Sequence, residues 1–447
     1  MKSEWMITLL TAGGILILCA AMIIWDKIRQ RKWFLRHLKQ RWGTIPDREY
    51  TQEELESISH YARRHEGEPF MIDDITWNDL QMDEIFIRMN NTLSSCGEDV
   101  LYQMLRQPQM HREVLEERER LIAYFQTHEE ERIQVLTRVK EVKKIWKMSI
   151  ADYIDALKDV DRTGRAKYPM LAGLSVAAII ATLIKPIPCM FLLLLMLCVS
   201  AMVHTRDSKK IEPYLNCFVC ILRLLRAADQ FEKLDNPVIQ TYLDRIREGR
   251  KKMKSFRRGA FLVASTNSVQ DGLEAIVVSY LRIIFQVDFI KFYSMLKHVE
   301  GNEVIIEDMY QAIGELDALI AVASFRESLP YYSLPEFTET DNAEGASLEV
   351  EELYHPLIAD PVVNGIRMQR GVLITGSNAS GKSTFLKTIA INTILAQTVH
   401  TCIAKQHRGS FLKVLTSMAL RDNLAGGESY YMVAVSYTHL RAHETAA

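Results

Sequence analysis

The chain has 447 residues, 48% of them apolar and 25% charged, with a formal charge of −2. That composition excludes a disordered polymer, and near-neutrality excludes a globally basic nucleic-acid binder, so any DNA-binding face has to be local. The length calls for two or three domains, and the seven cysteines, an odd number, fit buried thiols in a reducing compartment.

Residues 1–25 read as a transmembrane anchor. Met6 to Trp25 is twenty residues without a charge, about 30 Å of helix, which matches the hydrocarbon thickness of a bilayer. A signal peptide would have a shorter apolar region and a small-residue cleavage site. Lys27, Arg29, Arg31, Lys32, Arg36 and Lys39 follow the anchor, against Lys2 before it. The positive-inside rule therefore puts the N-terminus outside and the following chain in the cytoplasm.

Residues 26–167 form a charged cytoplasmic region that reads mostly as helix. Within it, Arg112 to Lys144 places Val114, Leu115, Leu121, Ile122 and Phe125 at helical spacing. Residues 168–204 hold a second apolar block, Pro169 to Val203, interrupted by Lys185-Pro186-Ile187-Pro188. Proline ends helices and biases its predecessor away from the α region. With Arg162, Arg165 and Lys167 before the block and Arg206, Lys209 and Lys210 after it, the expectation is a hairpin with both feet in the cytoplasm. The localisation is then a multi-pass membrane protein; the competing reading is a buried soluble helical pair.

Residues 205–345 continue as helical core or lever. Pro213 to Leu234 reads as an amphipathic helix, and Cys217 and Cys220 within it form a lone CxxC without the second ligand pair that a metal site needs. The densest basic stretch follows, with Arg245, Arg247, Arg250, Lys251, Lys252, Lys254, Arg257 and Arg258. It suits a phosphate backbone, an anionic lipid surface or plain solvation. Ala275 to Tyr293 is apolar but interrupted by Arg282, Asp288 and Lys291, which favours a buried helix over a span. Ser328 to Ala346 reads as a linker. Then the periodicity changes: Ser347-Leu-Glu-Val-Glu alternates like a strand, and Gly371 to Thr375 reads as a short buried strand.

Directly after it, Gly376 to Ser383 spells G-x-x-x-x-G-K-S. Gly376 and Gly381 admit backbone conformations other residues resist, which lets the N–H groups of Ser377, Asn378, Ala379 and Ser380 turn inward as an anion nest. The helix expected over Ser383 to Gln397 aims its positive end at the phosphates. Lys382 reaches the β- and γ-phosphates of ATP, the Ser383 hydroxyl is placed to ligate Mg²⁺, and Thr384 closes the motif. Hydrolysis also needs an acidic residue at a strand end. No apolar strand ending in Asp-Glu follows Ser383, so no catalytic residue is expected among these residues.

The segment around the loop resembles the MutS family, whose loop reads T-G-P-N-M-G-G-K-S-T. Thr375, Gly376, Asn378, Gly381, Lys382, Ser383 and Thr384 match it, while Ser377, Ala379 and Ser380 depart. Tyr354-His-Pro-Leu357 looks like the family's R-H-P element, and Asp422 to Met432 like its D-D-L-x-x-G-x-S-T-F-M. By that resemblance Asp422, Gly427 and Ser429 form a signature read by the nucleotide of the opposite subunit, which implies a homodimer through the ATPase domain. Asn91 to Gly97, with Leu101, Leu105, Pro108 and Arg118, resembles the start of the family's helical core; Asp99 stands where an arginine is usual. Gly314 to Ala323 resembles the core's return toward the ATPase. The family's mismatch-reading domain has no counterpart; the anchor stands in its place.

The resemblance implies a mainly α-helical core and lever with transmembrane helices, plus an incomplete C-terminal α/β P-loop NTPase domain over residues 346–434. It implies an ATP-switched clamp acting on DNA. Residues 435–447 read as a non-native tail, so the chain is expected to be cut short of its catalytic half; His439, His443 and Glu444 in that tail are read as a chance match to metal-ligand spacing. An ATP-driven membrane transport or remodelling motor, and a membrane scaffold with a decayed ATPase, are the alternatives.

Overall fold

The computed structural model describes residues 2–64, 70–144, 150–158, 160–256, 280–338, 346–377 and 380–418. Among these, the chain is mainly helical with one small mixed sheet. Helix α1 (Lys2–Arg41) runs unbroken through the expected anchor and its basic flank. Next come α2 (Gln52–Arg64), α3 (Asp74–Asp79), α4 (Met82–Met89), α5 (Ser95–Arg106), α6 (Arg112–Thr127), α7 (Glu129–Val139) and α8 (Ile150–Lys158). The stretch with helical spacing from Arg112 to Lys144 forms two helices, parted at His128, and Val114 lies on the exposed face while Leu115, Leu121, Ile122 and Phe125 are buried.

The apolar block is a hairpin of α9 (Lys167–Ile184) and α10 (Pro186–Phe231), turning at Lys185, where Pro186 opens the second helix without needing its own N–H. Helix α10 runs on past residue 204 for a total of 46 residues and absorbs the separate helix expected from Pro213. A mid-helix proline forfeits a hydrogen bond. Burial of Phe218, Ile221, Leu225 and Phe231 on the core offsets that loss. Two stretches, Lys167–Ile184 and Pro186–Ile211, are long and apolar enough to cross a membrane, and only 17% and 6% of their most apolar windows are buried.

The core forms where α5 crosses α13 (Glu303–Glu327). These are the two segments that resemble the start and return of the MutS core, and they touch directly. A Cβ added at Gly314 would lie 2.5 Å from the Cys96 carbonyl oxygen, and one at Gly97 would lie 2.2 Å from an Asp317 carboxylate oxygen. Both helices come this close only because neither carries a side chain there. Asp317, fully buried, accepts from the Ser94 hydroxyl at 2.5 Å and the Ser94 amide at 3.0 Å. Ser94 in turn caps α5, its hydroxyl accepting from the Gly97 amide at 3.1 Å. Asp99 accepts from the Tyr310 hydroxyl at 2.7 Å.

Helix α11 (Gln240–Lys252) carries the basic stretch, and its arginines meet carboxylates: Arg245 meets Asp308 and Glu315, and Arg250 meets Asp229 and Glu232. Arg247 and Lys252 pair within the helix with Asp244 and Glu248. Arg257 and Arg258 lie outside the described residues. Of the helix expected over Ala275 to Tyr293, residues 275–279 lie outside the described residues, and the rest is helical but broken at a left-handed Gln286, after which α12 (Val287–Val299) begins, with Phe289 and Phe292 buried and Arg282 paired with Asp288 at 3.0 Å.

The sheet has the order β1-β4-β2-β3, from β1 (Glu336–Phe337), β2 (Leu348–Leu353), β3 (Asn364–Met368) and β4 (Gln406–Gly409). β1 runs parallel to β4; the other pairings are antiparallel. Two expectations are corrected. The linker from Ser328 is in part sheet, since β1 pairs with β4 and Ser333 exchanges backbone bonds with Cys402; such non-local pairing leaves no trace in local composition. Gly371 to Thr375 is not a strand but an irregular, exposed approach, with Leu373 87% accessible. Among the described residues no strand lies beside it to take up its backbone groups.

Candidate functional site

Helix α14 (Lys382–Val399) realises the helix expected after the loop. Its N-cap, Gly381, sits at φ +83°, ψ 9°, a left-handed conformation that a side chain resists. No side chain caps this end and no acidic residue occupies the first turn, so the first N–H groups are open to an anion. The Lys382 ammonium donates to the Gly376 carbonyl at 2.8 Å and the Ser377 carbonyl at 2.5 Å, with the Ser380 hydroxyl at 3.4 Å. The loop is therefore drawn around the lysine.

A cleft of about 440 Å³ opens at this helix end. Thr375, Ser380, Gly381, Lys382 and Thr384 line one side, and Leu353, His355, Asp360 and Asn364 the other. Ser383, expected to hold magnesium, is exposed on the first turn and does not line the cleft. Asn378, Ala379, Asp422, Gly427 and Ser429 lie outside the described residues, as do His439, His443 and Glu444. The sequence reading missed Asp360 and Asn364, which carry no motif; the Tyr354-His355-Pro356 resemblance was the available signal for that wall. Burial, and then Lys387, push the His355 imidazole below its usual pKa, which favours the neutral ring.

The far end of α14 is fastened to the helical core. The Arg118 guanidinium donates to the Thr398 carbonyl, and burial pushes it down to about 10. Arg326, 1% exposed, donates to the His400 carbonyl at 2.9 Å, the Thr401 hydroxyl at 2.9 Å and Glu119 at 2.6 Å. Burial drives Glu119 upward, yet the bonds from His400 and Arg326 bring it below the usual carboxylate range. A buried Arg326 and a half-buried Arg118 at a helix C-terminus also complement its dipole. The cleft-facing end and the core-facing end thus belong to one helix. Cys217 and Cys220 are buried in α10, where burial pushes both thiols up, so they are inert rather than a redox pair.

Residues 372–445 match the family model for MutS domain V. This C-terminal segment is therefore similar to MutS domain V. A DNA mismatch repair protein msh3 from Aspergillus fumigatus is 31% identical over 157 residues, covering 33% of this chain and 13% of the relative. The DNA mismatch repair protein MutS of Haloquadratum walsbyi is 35% identical over 138 residues, covering 29% of this chain and 14% of the relative. The chain therefore spans about one seventh of the length of the curated relatives it matches.

Proposed function

We propose that the chain binds ATP through residues Gly376 to Thr384 and works as a membrane-attached, ATP-switched clamp of MutS type. The observation that carries this is the uncapped start of α14, where left-handed Gly381 and Lys382 face a cleft large enough for a nucleotide. Lys382 would exchange its loop carbonyls for phosphate oxygens, a stronger charge-assisted partner. The loop amides and helix end would hold the remaining negative charge. Mg²⁺, when bound with the nucleotide, neutralises phosphate charge; Ser383 on the first turn is its nearest hydroxyl donor by sequence.

Asp422, Gly427 and Ser429 are proposed to reach the nucleotide of a second copy, making ATP the cross-link of a homodimer. Rotation of α14 would then pull on Arg118 and Arg326, and through them on α6 and α13. The unburied apolar hairpin supports attachment to a membrane, with α1 as a further anchor and the soluble parts in the cytoplasm. DNA is the proposed ligand of the closed clamp, by likeness to relatives named for mismatch repair. Because the α11 arginines are already paired with carboxylates, its basic stretch is not the proposed DNA face.

The test is equilibrium binding of a fluorescent ATP analogue with Mg²⁺ to the full chain and to Lys382→Ala. A loss of affinity of at least about 100-fold is expected, the worth of two charge-assisted bonds. Equal affinity of the two proteins would sink the reading.

A further inference from the structure

A second cleft, of about 690 Å³, lies between α1 and α7. Lys27 and Arg31 come to it from α1, and Arg138 and Lys140 from the end of α7; Glu141 is its one carboxylate. Among the described residues none of these four cations forms an ion pair, whereas Arg245, Arg247, Arg250 and Lys252 on α11 all do. Two of the cleft cations are also held in place. Arg138 is fixed by donating its Nε to the Gln230 carbonyl at 2.9 Å and its Nη1 to the Gln134 carbonyl at 2.7 Å. The Lys140 ammonium sits 4.1 Å from the centre of the Phe34 ring. Folding has thus gathered four like charges into one concavity and supplied a single opposing group. Such an arrangement is relieved by a bound anion.

The position selects the anion. Met6 to Trp25 is uncharged, and α1 continues straight through it. Lys27 and Arg31 lie two and six residues past Trp25, about 3 and 9 Å along the axis, which brackets the roughly 5–8 Å depth of a headgroup layer. We propose that this cleft binds the phosphate of an anionic phospholipid headgroup. The proposal rests on the reading of α1 as a membrane anchor. The shared chemistry is a phosphate anion, and a soluble phosphate is the other source to be distinguished.

The full chain is reconstituted into nanodiscs of phosphatidylcholine alone or with phosphatidylglycerol, then extracted in mild detergent, and retained lipid is counted by native mass spectrometry. The variant is Arg31→Gln/Arg138→Gln/Lys140→Gln; Lys251→Gln/Lys252→Gln/Lys254→Gln, at the end of α11 and in the turn after it, is the charge-matched control, and Arg31→Glu alone guards against misfolding of the triple variant. Wild type and the α11 control are expected to retain phosphatidylglycerol at least 10-fold better than the triple variant, with Arg31→Glu intermediate. Equal retention by all four, with normal entry into nanodiscs, overturns the cleft proposal and leaves the anchor reading standing. Failure to enter nanodiscs of either composition overturns the anchor reading and the lipid proposal together. Displacement of the lipid by millimolar inorganic phosphate assigns the site to a soluble anion, and displacement by a short DNA duplex at lower concentration assigns it to nucleic acid; either overturns the lipid headgroup.

Discussion

Gly314→Ala tests the crossing on which the helical core is built. The new Cβ would lie 2.5 Å from the Cys96 carbonyl oxygen and 2.6 Å from Val100 Cγ2. The first of these is backbone, so relief requires α5 and α13 to part by several tenths of an ångström. That movement also loosens Asp317 from Ser94, whose hydroxyl it holds at 2.5 Å. Overpacking of this kind costs about 1–3 kcal/mol, and the weakened buried bonds add about 1 kcal/mol. Alanine returns about 1 kcal/mol as the better helix former. The expected net loss is about 2 kcal/mol. Gly249→Ala is the comparison, because its Cβ would meet no atom closer than Met309 Cβ at 3.0 Å, against a backbone oxygen at 2.5 Å for Gly314, and it should cost less. Urea unfolding of the full chain in mild detergent, followed by circular dichroism at 222 nm, measures both. A Gly314→Ala midpoint at or above wild type would refute the close crossing, since helix propensity alone would then decide the outcome.

Arg326→Met strands Glu119 against His400 alone and releases the Val399 and His400 carbonyls, the Thr401 hydroxyl and the Gln126 side-chain oxygen. Breaking a buried pair should cost about 3 kcal/mol, read as a lower thermal midpoint in differential scanning fluorimetry. Burial raises the Asp317 carboxyl from its ordinary 3.8 to about 6. Its favourable contribution is therefore complete below about pH 4 and disappears as pH rises through 6, a swing of about 3 kcal/mol at 1.4 kcal/mol per unit. Asp317→Asn should flatten unfolding midpoints between pH 4 and 6; an unchanged slope excludes this carboxyl as the source. Cys217 and Cys220, with thiols pushed up by burial, should escape iodoacetamide at pH 8 in the native chain and react in urea, as peptide mapping would report.

Much of this was legible because it is local. The hairpin turn follows from two prolines, the α14 start from a glycine before a helical pattern, and the β2 strand from alternation in Leu348-Glu-Val-Glu-Glu-Leu. What escaped was non-local. Ser333 bonds to Cys402 across 69 positions of sequence, and nothing near either residue announces it. The separate helix expected at Pro213 failed because local proline chemistry was outweighed by packing of Phe218 and Ile221 on distant helices. In the site, Lys382 and Gly381 were readable from spacing, but the opposite wall at Asp360 and Asn364 exists only through the sheet. The same applies to charge: the α11 cations looked available until Asp308, Glu315, Asp229 and Glu232 were found beside them.

Helix α10 is a single rod of 46 residues, rooted at one end among the core helices and carrying the apolar hairpin at the other. At 1.5 Å per residue it is about 69 Å long. A rod of that length is a gearing device. Turning its root by about 10° sweeps its tip through about 12 Å, so an adjustment within the tolerance of side-chain repacking becomes a displacement comparable to a helix diameter. The gearing runs the other way as well: a hairpin held fast at its tip leaves the root almost no freedom to turn, and whatever immobilises the tip governs how far the core can respond.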